Sequence, residues 1–396
     1  MYKIFDKYLF SILCVSALLA GCHNGVIDQP DSVANSAQLP DTQGFIDCPL
    51  RDEPYSIKTP LMDILLKPEA RAVVNRHLAN ALEMLPPSFA SEQAPSFSAI
   101  MDIKKLISFG GGAGANLPLI DQELRALEVT DADRALRCAR YDITPPDLVI
   151  PEGKPRILLF EKMTGFRDGP SVEAARQALE VMAASKGWAL VYTENGAAIT
   201  PALLQQFDAV IWNNISGDVL TLSQRDAFKA YIENGGAYIG IHGSGGDPIY
   251  LWDWYVDELL GARFIGHTFD PQFQNARVVV EKTAGLATAN LPEAWVMKDE
   301  WYAFASNPRN KGATVFASLD ESSYSPLGRG GIDVSMNGDH PIAWGRCIGK
   351  GRSFYSAIGH LPETYSQPDH VQLLENGILW AIGLDADSTC ANAEQE

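Results

Sequence analysis

Between positions 155 and 241 the chain alternates short apolar runs with amphipathic ones, and nothing else in the sequence constrains the fold as strongly. Positions 156–162 (RILLFEK), 189–193, 208–213 (DAVIWN) and 237–241 (AYIGI) read as strands. Helical spacing separates them over 170–186, after a Thr200-Pro201 start, and over 223–234, where Gly235-Gly236 supplies a stop. Strands interleaved with helices build a parallel sheet through right-handed crossovers. Ligands of such sheets bind beyond the carboxyl ends of the strands. Further strands are expected at 276–282, 314–319, 342–347 and 353–358, with a closing helix over 367–382. The expected class is α/β, a mostly parallel doubly wound sheet.

A small helical region is expected ahead of it, over 48–150. Thr59-Pro60 and Lys67-Pro68 open helices, and two more are expected over 95–108 and 130–138. The glycine-rich run at 110–115 lacks the Lys-Ser/Thr ending and the preceding strand of a phosphate loop, so it reads as a flexible loop. The region reads as a lid or docking unit without recognisable chemistry.

The first residues point to export. Lys3 and Lys7 precede an apolar stretch over 8–20, too short to span a bilayer, that ends in Leu19-Ala20-Gly21-Cys22. This looks like a bacterial lipobox. Residues 1–21 are then a signal peptide, Cys22 carries lipid, and the polar stretch 22–47 is a flexible tether. The expected location is the cell envelope, on the outer membrane facing the periplasm, because His23 replaces the aspartate associated with inner-membrane retention. A net charge of −18 argues against nucleic acid and leaves the lipid anchor as the only membrane contact. An oxidising compartment permits disulfides, and Cys48–Cys138 and Cys347–Cys390 are the favoured pairs, the latter tying down the tail 385–396. With 46% apolar residues the chain can bury one large core beside a smaller one.

Four of the seven histidines lie in glycine-flanked phrases: His242 (GIHGSGG), His267 (FIGHT), His340 (NGDHPIAW) and His360 (AIGHLPETY). Histidine transfers protons near neutral pH or binds metal. His242 stands where a hydrolase or amidotransferase elbow would hold its nucleophile. With no cysteine there, glutamine-amide chemistry is not expected, and Ser244 reads as a turn residue rather than a nucleophile. Asp339 and His340, adjacent on an extended segment, point apart and make no dyad.

Several stretches over 155–383 share an order with a known family. They are Lys162-Met-Thr-Gly-Phe-Arg167, Gly217-Asp218, Gly235 to His242, Trp252-Asp253-Trp254-Tyr255, Gly266-His267, Asp299-Glu300-Trp301-Tyr302, Gly338 to Trp344, and Gly359-His360 with Tyr365. Residues 155–384 thereby resemble the trehalose-utilisation (ThuA-like) family, a branch of the class I glutamine amidotransferase-like fold, related to flavodoxin-like sheets. Two departures stand out. Arg167-Asp168 replaces a frequent Arg-His, and Gly243 to Asp247 replaces an alanine-rich stretch. The resemblance implies a link to disaccharide and oxidised-sugar metabolism.

The candidate catalytic residues are His242, Glu300 and His340, working by acid–base chemistry, with Glu300 beside Trp301 in partly apolar surroundings. Candidate sugar contacts are His267, His360, Trp252, Trp254, Trp301, Tyr302, Trp344, Arg167 and Asp218. The expected ligand is a small sugar or glycoside and the expected activity an isomerase, lyase or hydrolase. The alternatives are a non-catalytic carbohydrate-binding lipoprotein serving a transporter or partner enzyme, and a metal-dependent hydrolase. No cofactor is predicted; a divalent ion such as Zn²⁺ is the rival use of three imidazoles and a carboxylate.

Overall fold

The structure is a computed structural model that describes residues 46–108, 114–282 and 286–383. The expected signal peptide, Cys22, most of the tether, most of the glycine-rich run and the tail with Cys390 lie outside these residues.

The strands are β1 (Arg156–Phe160), β2 (Ala189–Thr193), β3 (Ala209–Asn213), β4 (Ala237–Ile241), β5 (Phe264–His267), β6 (Phe273–Val280), β7 (Ala294–Glu300), β8 (Tyr302–Phe304), β9 (Thr314–Asp320), β10 (His340–Ile348) and β11 (Gly351–Ser356). Nine of them form one sheet in the order β2-β1-β3-β4-β11-β10-β9-β6-β7, and β5 pairs with β8 in a second. The run from β2 to β11 is parallel throughout. It has the flavodoxin-like 2-1-3-4-5 order, with the last strand of the chain in fifth place. From β11 outward the ladder is antiparallel. Because β9 and β7 again run with the parallel block, seven of the nine strands point one way.

The parallel strands are apolar on both faces, and Ile157, Leu158, Leu159, Val210, Ile211 and Ile239 are wholly buried. Each such side chain contributes roughly 1.5–3 kcal/mol. Helix Gly169–Lys186 starts with Pro170 in its first turn and stops at Gly187, whose φ of +71° favours glycine. Helix Leu222–Glu233 opens with a reciprocal Thr221–Gln224 capping box. Helix Pro368–Ile382 closes the chain and packs Ile378 and Trp380 on the sheet.

The helical region comprises Leu61–Leu65, Pro68–His77, Ile103–Ser108, Leu117–Arg125 and Asp131–Cys138. Leu61, Ile64, Val74, Ile120 and Leu124 form its own apolar cluster. The single helix expected over 95–108 splits in two, because the Asp102 carboxylate caps a fresh start by accepting from the Lys105 amide at 2.8 Å. The Cys48–Cys138 disulfide is present, with Cα atoms 5.5 Å apart. Cys347 is also disulfide-bonded. The region docks over the loops after β1 and β3. Phe97 stacks on Phe166 at 4.7 Å, the Ser96 amide donates to Thr164 O at 3.0 Å, and Tyr141 donates to Asp218 at 2.9 Å. Among the described residues no helix is long and apolar enough to cross a membrane.

Candidate functional site

His242 is the first residue after β4, at the carboxyl edge of the sheet, and its φ of +38° is one that few residues with a side chain adopt. Three contacts hold it there. Its carbonyl accepts from Tyr355 Oη at 2.8 Å, the next amide donates to Asn214 Oδ1 at 3.2 Å, and Nδ1 lies 2.7 Å from Ala357 O. A carbonyl only accepts, so Nδ1 carries the proton. In the neutral ring Nε2 is therefore a bare lone pair.

That lone pair faces two groups from distant parts of the chain. His360 Nδ1 is 3.3 Å away and Glu300 Oε2 is 3.7 Å away, while Oε2 and His360 Nδ1 are 3.0 Å apart. Glu300 ends β7, and His360 follows β11 in a turn where Gly359 has a φ of +141°. A Cβ on Gly359 would sit 3.2 Å from His242 Cβ and closer still to Tyr365 Oη, so the two histidine segments approach through a glycine. The other Glu300 oxygen accepts from Gln272 Nε2 and faces His267 Nδ1 at 3.1 Å. His267 Nδ1 also lies 2.6 Å from Thr268 O, which leaves its Nε2 bare in the neutral ring. Of the four groups His267 is the most open, with 28% of its side chain exposed. Tyr302 lays its ring against His242, centroids 4.3 Å apart.

The electrostatics favour a positive centre at His360 over one at His242. Burial disfavours ionised Glu300, but the His360 hydrogen bond and the neighbouring imidazoles hold its carboxyl down to about 2. Burial also opposes charge on His360, yet the Glu300 hydrogen bond and the Glu300 and Asp168 charges raise its pKa. Burial, helped by the His360 charge, pushes His242 down to about 3. A proton in this group is thus favoured on His360 over His242.

Several expected residues are placed elsewhere. His340 is not part of the group. Its ring is buried behind Tyr302, with Nε2 2.7 Å from Tyr302 O and Nδ1 2.9 Å from both Glu321 and Tyr324, so neither nitrogen is left for a substrate. Trp301 and Trp344 are core residues rather than sugar platforms, their indole N–H groups donating to Gln274 O and Leu260 O at 2.9 and 2.8 Å. Trp252 and Trp254 lie tilted against each other, ring centroids 5.2 Å apart, beside Arg225 and Lys229 of helix Leu222–Glu233. Asp218 pairs with Arg225 at 2.6 Å, and with Trp252 it lines a separate depression that also holds Asp247. Arg167 faces Glu194 at 3.6 Å, one residue from the site's rim. Ser244 donates to Trp212 O and accepts from the Ile215 amide, which is a turn-shaping role.

Two participants escaped the sequence. Asp168, at the position where Arg-His is the frequent pattern, faces His360 Nε2 at 3.5 Å. Asp299 accepts the amides of Gly359, His360 and Leu361 at 2.6, 3.1 and 3.1 Å, fixing the turn that carries His360. Burial pushes its carboxyl up to about 7 against those donors. Asp168 carried a signal, the departure itself. Asp299 stood in the matched stretch Asp299-Glu300-Trp301-Tyr302, but nothing there pointed to its partners, which are backbone amides about 60 residues away. As for metal, His242, Glu300 and His360 are the described residues whose ligand atoms lie close enough together to hold an ion.

Fold and site together define an α/β protein with a mostly parallel sheet and a histidine at the turn that follows the fourth strand. Residues 156–381 match the ThuA family, described as trehalose utilisation, and the chain belongs to that family. A ThuA-like protein from Bacteroides uniformis is 28% identical with a TM-score of 0.50, covering 58% of this chain and 92% of its own. Another, from Parabacteroides merdae, is 15% identical with a TM-score of 0.43, covering 58% and 90%. No curated protein matches the chain.

Proposed function

We propose that this protein is a lipid-anchored envelope enzyme that acts on a disaccharide, or on its oxidised form, at the His242–Glu300–His360 group. The observation that carries this reading is the convergence of two imidazole nitrogens and a carboxylate oxygen, 3.0 to 3.7 Å apart, at the carboxyl edge of the sheet. The family's description, trehalose utilisation, supports the substrate class. The Leu19-Ala20-Gly21-Cys22 sequence supports the anchor, and the Cys48–Cys138 disulfide suits an oxidising compartment.

The positive centre binds and polarises a sugar carbonyl oxygen. His267 Nε2, bare and nearest to solvent, takes the proton from the neighbouring carbon. The electron pair moves toward the carbonyl oxygen, where the centre stabilises the developing negative charge. The proton then returns to the adjacent carbon, giving isomerisation, or to a departing glycosidic oxygen, giving elimination. Tyr302 and the Gly359 turn keep the rings in register.

The test is a turnover screen of trehalose, other disaccharides and their 3-keto derivatives, using the protein, His242→Ala, Glu300→Gln and His267→Ala. Each variant is expected to lose on the order of 10²-fold or more in turnover. Binding of a sugar by the unaltered protein with no turnover of any of them overturns the enzymatic reading in favour of a carbohydrate-binding lipoprotein.

A further inference from the structure

Four observations on the His242–Glu300–His360 group go beyond proton chemistry. First, the three facing atoms form a compact triangle with sides of 3.0, 3.3 and 3.7 Å. A point ~2.1 Å from all three, the usual zinc–nitrogen distance, lies within ~1 Å of their plane. Second, the far atom of every member is held by the protein. His242 Nδ1 meets Ala357 O, His360 Nε2 faces Asp168, and Glu300 Oε1 accepts from Gln272. Carbonyl and carboxylate partners on the outer nitrogens of paired imidazoles are the usual support for metal-binding histidines. Third, the three side chains are largely shielded from water, 5% exposed for His242, 3% for Glu300 and 17% for His360, so solvent competes little for the inward atoms. Fourth, the three residues come from three different elements of the fold, so the triangle is built by the sheet edge and not by one flexible loop.

We infer that His242 Nε2, His360 Nδ1 and Glu300 Oε2 form a facial site for a divalent first-row transition-metal ion. Two histidines and one carboxylate suit zinc or iron and leave coordination positions open on the opposite side. The ion takes the place of the proton as the positive centre, so a sugar hydroxyl or carbonyl oxygen would meet a stronger electrophile there. His267 remains outside the ligand set, because its near nitrogen carries a proton toward Thr268 O. This inference rests on the proposed reaction centre but is tested apart from it.

The experiment uses full-length, detergent-solubilised protein stripped with a chelator and titrated with Zn²⁺ against a chromogenic competitor. Thermal midpoints of the stripped and loaded forms are recorded alongside. One equivalent of Zn²⁺ is expected, with a higher midpoint in the loaded form. His242→Ala and Glu300→Gln should bind at least 100-fold more weakly, and Asp168→Ala about 10-fold more weakly. Circular dichroism of the stripped variants checks that they fold. Absence of a stoichiometric ion, or equal binding by His242→Ala and Glu300→Gln in folded form, overturns the site. Sugar turnover by stripped protein, unchanged by Zn²⁺, rejects the metal and keeps the enzyme. One bound equivalent without turnover of any sugar keeps the metal and rejects the enzyme.

Discussion

Asp299 and Glu300 stand side by side at the end of β7 and face opposite ways, Asp299 into the amides of the turn that carries His360 and Glu300 into the imidazole ring of that same histidine. Neighbours on a strand point to opposite faces. The pair therefore grips one residue through its backbone and its side chain, and the position of His360 is determined twice.

Asp299→Asn should loosen that grip. An amide presents one oxygen and one donor to three backbone N–H groups, leaving at least one of them unpaired. A loss of about 1–3 kcal/mol is expected, read as a lower midpoint in urea unfolding. Turnover should fall with it, through displacement of His360. A midpoint equal to that of the unaltered protein would show that the amides do not depend on the carboxylate.

His242 is held at a φ of +38°, which costs a residue with a Cβ more than it costs glycine. His242→Gly should therefore be more stable than His242→Ala by about 1 kcal/mol in denaturant titration, although both lack the ring. Equal stabilities would mean that the elbow stores no backbone strain.

His370 is wholly buried, with Nδ1 3.1 Å from Thr364 O, and burial pushes its pKa down from 6.5 to about 4. The unfolded chain takes up a proton near pH 6.5 while the folded chain does not. Its contribution to stability is thus complete above pH 6.5 and is lost as pH falls toward 4, with a slope of at most about 1.4 kcal/mol per pH unit. The measurement is urea stability at several values from pH 4 to 7. His370→Asn should show a shallower dependence than the unaltered chain, and equal slopes would dismiss His370 as the cause.

The Cys48–Cys138 disulfide closes a loop of 90 positions. In the chain-entropy account its loss costs about 3–5 kcal/mol, so Cys48→Ser should lower the unfolding midpoint measurably and expose 46–150 to protease. Unchanged proteolysis would show that the helical region stands on its apolar cluster alone.

The parallel half of the fold was legible in the sequence, because strands buried on both faces appear as unbroken apolar runs such as RILLF and AYIGI. The strands β5, β7 and β8 were not. In β7 buried positions alternate with exposed Val296 and Lys298, and β5 contains a glycine, so neither offers a continuous run. The site was legible in its residue types and only partly in its membership. His340 shares the glycine-flanked setting of His242 and His360, but it opens an antiparallel strand whose register turns the ring toward Tyr302 O and Glu321. Trp301 is adjacent in sequence to Glu300, yet lies in the core. No local pattern distinguishes these cases, since each depends on where a distant strand packs.

The strand written last, β11, is inserted between β4 and β10 in the middle of the sheet. Without β11 the remaining strands would form two half-sheets, each with an unpaired edge open to wrong partners. Pairing β11 closes both edges, and the turn that follows it carries His360, so one segment completes both the sheet and the His242–Glu300–His360 group.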